Sequence, residues 1–328
     1  MITGAYIYEP QFAGLKEGDA QRLTHIFLAF ALVKGGRGSV EHWQNSDAIR
    51  ALVLNKGHIK MILSVGGWGA GGFSPAVATA EGRELLAQTL VDISVDYGLD
   101  GIDMDWEYPC DDMAGIEASP NDKVNFTLFM QLLRQKLGPD KMLSMAAGGM
   151  QSCADNLEID KLMKVMDFIN LMTYDMCSWE KVSYHTALLP TELGHMSAHD
   201  VAKIYEDAGV PREKLVMGAG FYARVYRDTD GLNSKVTTVP DHLPDGYRGA
   251  LKFVEECGCQ YDEKAETAYV YNAKTREFIN FDNPRSLAAK VDYIKSTGMS
   301  GIMFWEYSHD DKDSSLLKAI AAGQPHTK

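Results

Sequence analysis

Four carboxylates fall within eight consecutive positions of the stretch DGIDMDWEYP, residues 100–109: Asp100, Asp103, Asp105 and Glu107. Like charges so close raise one another's pKa and oppose folding, so a chain keeps such a cluster either in open solvent or for its chemistry. The residues between them decide. Ile102, Met104 and Trp106 alternate with Asp103, Asp105 and Glu107, and alternate side chains of a β-strand point to opposite faces. The three acids therefore share one face of a buried strand, in steps of about 7 Å, while the apolar residues face the other way. Glu107 stands at the carboxyl end, and the two deeper aspartates place negative charge beneath it. That charge favours a protonated Glu107, as a general acid near neutral pH requires. A Mg²⁺ or Ca²⁺ cage would also want carboxylates but draws them from several strands rather than from one linear ladder. No metal and no cofactor is expected. Asp100 falls outside the alternation and reads as structural, a support for the neighbouring strand or loop.

A ladder of this kind needs a rigid frame, and the rest of the chain supplies the signals for one. Short apolar runs recur as AYIYE from residue 5, HIFLAFALV from 25, KMILSV from 60, GIDMDW from 101, MLSMAA from 142, DFINLMTY from 167, KLVMGAGF from 214 and GIMFW from 301. Between most of them lie helix signals, such as NFTLFMQLLRQKLG, with apolar residues at three- and four-residue steps before a closing glycine. Eight strands alternating with helices predict an α/β chain folded as a (β/α)₈ TIM barrel, whose catalytic groups gather at the carboxyl ends of the strands. Residues 224–282 break the rhythm. They are rich in Asp, Gly, Thr and Tyr and hold strand-like AETAYVYNAK and REFINF, where only one connection is required. They read as a small α+β insertion between the seventh strand and its helix, leaving 1–223 and 283–328 for the barrel.

Composition narrows the partners. The chain has 328 residues, 45% hydrophobic and 23% charged, as in a soluble globular protein. No run is long and apolar enough for a membrane span. A net charge of −13 argues against a nucleic-acid surface, which needs clustered Lys and Arg. The five cysteines, Cys110, Cys153, Cys177, Cys257 and Cys259, are odd in number and irregular in spacing, so they imply neither a disulfide framework nor a zinc site. The opening MITGAYIYEP lacks the succession of a signal peptide, which leaves an intracellular protein or one whose export signal has been removed. A monomer is expected. GWGAGG at 67–72 satisfies G-x-G-x-x-G after a strand, but the proline in the following FSPAV argues against a phosphate-binding helix. His195 and His199 are four apart without an H-E-x-x-H pattern and read as surface or capping residues.

The acidic stretch LDGIDMDWE resembles the D-x-x-D-x-D-x-E signature of glycoside hydrolase family 18, the chitinase family, with every acidic position filled. SVGGW at 64 is similar to the family's third-strand S-x-G-G, LMTYD at 171 to its sixth-strand M-x-Y-D, GFYARVY at 220 to its seventh-strand F-Y-G-R, and GIMFWEY at 301 supplies an eighth-strand tryptophan. The likeness runs from about Tyr6 to Trp305. It departs at Ala223, where relatives commonly carry glycine, which bears on loop geometry rather than chemistry.

The resemblance implies a substrate-assisted reaction on N-acetylglucosamine polymers, an exception to the two-carboxylate retaining scheme. Glu107 protonates the glycosidic oxygen while the sugar's own acetamido carbonyl attacks its anomeric carbon, and Glu107 then serves as base towards water. Asp105 orients the acetamido group and offsets charge on the oxazolinium, and Asp103, supported by Ser64, shares a proton with Asp105. Tyr174 matches the tyrosine that binds the acetamido oxygen, with Met172 and Asp175 in the same wall. Trp305 matches the tryptophan beneath the reacting sugar, and Trp68 offers a platform on the leaving-group side. Tyr6, Tyr222 and Arg224 complete the expected substrate contacts. The implied partner is chitin or its oligosaccharides. Two rivals follow from the same resemblance: a chitin-binding lectin on the same barrel, whose kind typically lacks the acid at the position of Glu107, and an endo-β-N-acetylglucosaminidase acting on N-glycans.

Overall fold

The computed structural model describes residues 1–323, so the last five residues of the expected barrel segment, 324–328, lie outside the described residues. Eight parallel strands form the frame: β1 Ile2–Tyr8, β2 His25–Lys34, β3 Lys60–Gly66, β4 Gly101–Asp105, β5 Met142–Ala147, β6 Phe168–Leu171, β7 Leu215–Gly220 and β8 Gly301–Trp305. Each pairs with its neighbour in chain order, and β8 pairs back onto β1, which closes a (β/α)₈ barrel. Strands covered on both faces read as near-continuous apolar runs, which is why HIFLAFALV and KMILSV stand out in the sequence. Their outer residues, among them Ile26, Leu28, Leu63, Ile102, Met104 and Phe304, pack in the main hydrophobic core between sheet and helices. The inner residues Tyr6, Phe27, Ala29, Ile62, Ala146, Phe168, Met172, Val216 and Met303 fill the barrel.

The helices end where their sequences say they should. Asp122–Leu137 buries Phe126, Phe129, Met130 and Leu133 and stops at Gly138, whose φ is 76°. Pro284–Thr297 begins behind a reciprocal Asn283–Ser286 capping box with Pro284 in its first turn, and stops at left-handed Gly298. Between β7 and that helix lies a five-stranded antiparallel sheet, in the order 241–242, 223–226, 277–281, 267–272 and 260–262, with the helix Gly246–Cys257 packed on it. This is the α+β insertion the sequence leads one to expect, its first strand opening one residue earlier, at Ala223.

Three local expectations are corrected. Strand β6 ends at Leu171 rather than Tyr174, because the Thr173 side chain takes over the ladder: its Oγ1 donates to Gly218 O at 2.7 Å and accepts from Gly218 N at 2.9 Å. Strand β4 ends at Asp105, so Glu107 stands two residues past it, in the loop that follows. FSPAV forms a short helix, Phe73–Val77, after all, since a proline in the first turn gives up an N–H that would have no intrahelical partner.

Candidate active site

The acidic ladder sits inside the barrel. Asp103 is fully buried and Asp105 nearly so, while Ile102, Met104 and Trp106 point to the outer core as the alternation requires. Asp103 is the better solvated of the two aspartates, although by protein rather than water. Its Oδ2 accepts from Tyr6 Oη at 2.8 Å and Ser64 Oγ at 2.9 Å, and its Oδ1 accepts from Ser144 Oγ at 2.6 Å and Asn170 Nδ2 at 3.2 Å. Burial raises its pKa and those four donors lower it, leaving a net rise. Asp105 has no such help: its buried Oδ1 lacks a hydrogen-bond partner. Burial, then the charges of Glu107 and Asp103, hold it well above the usual carboxylate range. Glu107 is pushed up to about 7, chiefly by burial, with the Asp175 charge adding and a Tyr108 hydrogen bond opposing.

The approach of β3 to the ladder explains the glycine pair of SVGGW. Gly66 has φ 119°, and a Cβ there would fall 2.1 Å from the Asp105 carbonyl oxygen. Gly67 N then donates to that oxygen at 2.9 Å. Trp68 follows at once and is 61% exposed, an apolar face presented to solvent beside the ladder's open end.

The opposite wall comes from the loop after β6. Met172 is buried in the barrel interior. Tyr174 packs edge-on against Tyr222, ring centroids 6.0 Å apart. Asp175 takes a left-handed backbone, φ 57°, and its N–H donates to His185 Nδ1 at 3.4 Å. Arg224 Nε donates to Asp175 Oδ1 at 2.6 Å. Burial works to raise the Asp175 pKa, but the Arg224 bond and charge, with His185 and His242, bring it below the ordinary value. Tyr222 is ringed by His185 and His242, at 5.2 and 5.0 Å. Trp305 ends β8, partly exposed, with Tyr6 at 6.1 Å and Phe30 stacked on it at 5.4 Å.

The twelve residues singled out in the sequence therefore line one end of the barrel or its interior beneath that end. Five further residues join them. Tyr108 bonds the Glu107 carboxylate, and Phe30 extends the Trp305 surface. Ser144 and Asn170 complete the donors on Asp103, and His185 braces Asp175. Ser144 carried a signal that the sequence holds only implicitly: in the β4–β5 register it is the direct partner of Asp103, as Ser64 is on the other side. Asp100 does what its place outside the ladder suggests, accepting from Met61 N at 2.8 Å and from the Lys56 ammonium. His199 Nδ1 bonds Tyr293 Oη at 2.9 Å, and neither His199 nor His195 touches the ladder. A surface depression of about 550 Å³, lined by Lys34, Arg37, Trp43, Asp96 and Tyr97 among others, shares no residue with the site. Among the described residues no group of three or more His, Cys, Asp or Glu is arranged to hold a metal ion, and no helix is long and apolar enough to cross a membrane.

Residues 3–310 match the profile of the glycosyl hydrolases family 18. The chain belongs to that family. Chitinase A1 of Niallia circulans is 34% identical over 86% of this chain and 45% of its own length. Endochitinase 1 of Metarhizium robertsii is 35% identical over 79% of this chain and 64% of its own length. The chain thus spans about half to two thirds of these curated relatives. Among solved structures, a family 18 N-acetylglucosaminidase from Paenibacillus barengoltzii superposes with a TM-score of 0.93 at 35% identity, covering 98% of this chain and 99% of that one. Family 18 membership goes with the TIM barrel described above, the fold that its acidic strand resembles.

Proposed function

We propose that this family 18 chain hydrolyses the β-1,4 bonds between N-acetylglucosamine units of chitin or chitooligosaccharides, with retention of configuration and with the substrate's own acetamido group as nucleophile. The observation that carries this reading is the contrast between carboxyl environments. A conventional retaining glycosidase needs a second, ionised carboxylate to attack the anomeric carbon. Asp105, next to Glu107 on the ladder, has its ionisation opposed by burial and by the charges of Glu107 and Asp103, and its buried Oδ1 has no donor to steady a negative charge. Asp175 is ionised, but its Oδ1 is engaged by Arg224 at 2.6 Å. A nucleophile carried by the substrate fits this site better than either.

In this mechanism Glu107, protonated up to about pH 7, gives its proton to the glycosidic oxygen as the C–O bond breaks. The acetamido carbonyl oxygen forms a new bond to the anomeric carbon, making an oxazolinium ion. Asp105 faces the acetamido nitrogen, and the Tyr174 phenol donates to the acetamido oxygen. Fixing that group near its target can supply several kcal/mol of the barrier. Water then attacks from the face the leaving group vacated, with Glu107 taking its proton. Trp305 floors the reacting sugar, and Trp68 offers its exposed face to the leaving-group side. Met172, Ser64, Tyr6, Tyr222 and Arg224 hold these groups in place.

A second reading concerns product size. The Paenibacillus barengoltzii enzyme that matches this chain over almost all of both lengths is called an N-acetylglucosaminidase, which favours release of single sugars from soluble oligomers. A time course on N-acetylglucosamine tetramer and hexamer, with products separated by length and anomer and Glu107→Gln alongside, tests both. Dimers and trimers of retained anomer support the chitinase reading, and monomer alone supports the second. Tight binding without cleavage would make the chain a lectin; neither binding nor cleavage would turn the search to N-glycans.

A further inference from the structure

The glycine-rich stretch GWGAGG, residues 67–72, does more than bring β3 close to the ladder. Gly67 O accepts from Ala70 N at 3.0 Å, which closes a four-residue turn with Trp68 at its corner. Gly69 comes next with φ 76°, the positive value that the third position of a type II turn calls for. The turn presents the Trp68 indole to solvent.

This turn is pinned at both ends by the segment that carries Glu107. At the entry, Gly67 N donates to Asp105 O at 2.9 Å. At the exit, Gly72 N donates to Glu117 Oε2 at 3.0 Å. Among the described residues this is the one hydrogen bond that ties residues 68–72 to a distant part of the chain. Glu117 itself is exposed, but its neighbour Ile116 is buried in the main core, which anchors the loop from which the carboxylate reaches. The two segments run close together: a Cβ on Gly71 would fall 2.7 Å from Glu117 Oε2, and one on Gly69 would fall 3.8 Å from Ala114 O. The Gly72 N–H, then Glu117's own N–H, hold the carboxyl below its ordinary range.

We propose that Glu117 is a positioning residue whose carboxylate clasps the exit of the Gly67–Ala70 turn and so sets where the Trp68 ring stands relative to Glu107. The proposal rests on the reading of Trp68 as a platform for the leaving-group sugar. A turn rich in glycine has more backbone freedom than any other, so an unclasped indole would have to be ordered when the sugar arrives, at a cost in affinity. Clasping the turn in advance removes that cost. Glu117 acts through the turn, and its influence is confined to substrates whose leaving group is long enough to reach the indole.

Glu117→Ala should lower kcat/KM on N-acetylglucosamine tetramer about fivefold, through KM. It should leave hydrolysis of N-acetylglucosaminyl fluoride, whose leaving group is a single atom, at the wild-type rate. Glu117→Gln keeps an oxygen for the Gly72 N–H and should stay within about twofold of wild type. Gly71→Ala, whose methyl displaces the same carboxylate, should repeat the loss seen in Glu117→Ala. In a Trp68→Ala background, Glu117→Ala should cost nothing more, because the two residues act as one unit. An unchanged tetramer rate in Glu117→Ala, equal losses on tetramer and fluoride, or losses that add in the double variant overturn the proposal. Should wild type cleave no oligomer, or Trp68→Ala leave the tetramer rate unchanged, the platform reading fails and the clasp is judged by fluorine NMR of fluorotryptophan-labelled protein. The Trp68 signal, identified by its disappearance in Trp68→Phe, should shift or broaden in Glu117→Ala and in Gly71→Ala while the other tryptophan signals stay in place. A Trp68 signal unmoved in both variants refutes the clasp.

Discussion

Arg224, on the first strand of the insertion, donates its Nε–H to Asp175 Oδ1 at 2.6 Å across to the loop that follows β6. The insertion thus reaches into the site through one charge-assisted bond, of a kind that contributes about 1.5–3 kcal/mol. Asp175 in turn adds its charge to the environment of Glu107. Arg224→Met should leave Asp175 ionised but unpaired near Glu107, lowering kcat/KM on an N-acetylglucosamine oligomer about tenfold and moving its alkaline limb upward. A pH profile with unchanged limbs would show that Arg224 only packs.

The acid assignment makes a separable claim. Glu107→Gln should lower kcat by at least about a thousandfold, in the range expected for loss of a general acid, with oligomer affinity kept. Asp105→Asn should fall by about a hundredfold. Isothermal calorimetry beside turnover measurements checks both, and a near-normal rate in Asp105→Asn would remove the assisted mechanism.

How much of this could be read from the chain depends on which physical signal each residue carries. Asp103, Asp105 and Glu107 were legible because a two-residue alternation fixes which side chains share a face, whatever the strand pairs with. Trp305 and Trp68 were legible as aromatics placed just at strand ends. Ser144 and Asn170 were not, since their meaning lies in register: Ser64, Asp103 and Ser144 stand side by side across three strands, and parallel register is set by long-range closure of the barrel. His185 is equally silent in sequence. It matters because Asn280, on the central strand of the insertion sheet, accepts its N–H at 2.7 Å and so delivers its ring to Asp175. The expected strand ending at Tyr174 overran for a related reason, as Thr173 swaps a backbone ladder for a side-chain one.

The raised carboxyls also predict how stability depends on pH. Glu107 sits at about 7 in the folded chain against 4.5 for an ordinary glutamate, and Asp105 is raised as well. Between those values the folded state holds protons that the unfolded state has lost, so stability falls as pH rises through the window from about 4.5 to 7. The site is a stability cost at neutral pH. Glu107→Gln, which cannot ionise, should therefore melt higher than wild type at pH 8, by about 2–5 °C, and the gap should close at pH 4.5. Calorimetric scans at the two pH values check the sign; a variant that melts lower at pH 8 would contradict it.

The brace behind Asp175 ends in a buried ion pair. Lys290 Nζ, on the helix that follows the insertion, lies 2.6 Å from both Asp282 Oδ2 and Thr186 Oγ1, with the two ionic side chains wholly buried. Thr186 N and His185 N share Asn280 Oδ1, at 3.1 and 2.7 Å, so the pair anchors the segment that holds His185 against Asp175. Breaking one half of such a pair strands the other charge without solvent, at about 3–5 kcal/mol. Lys290→Met should lower the melting temperature by about 10 °C, and adding Asp282→Leu should recover part of the loss, because the stranded charge goes with it. Below the melting range, the single variant should raise KM for oligomers more than it lowers kcat, since Asp175 moves while the Asp103–Asp105–Glu107 ladder stays in the barrel. Thermal scans with the two-residue cycle measure the first effect and steady-state kinetics the second; an unchanged KM in the folded variant would separate the ion pair from the site.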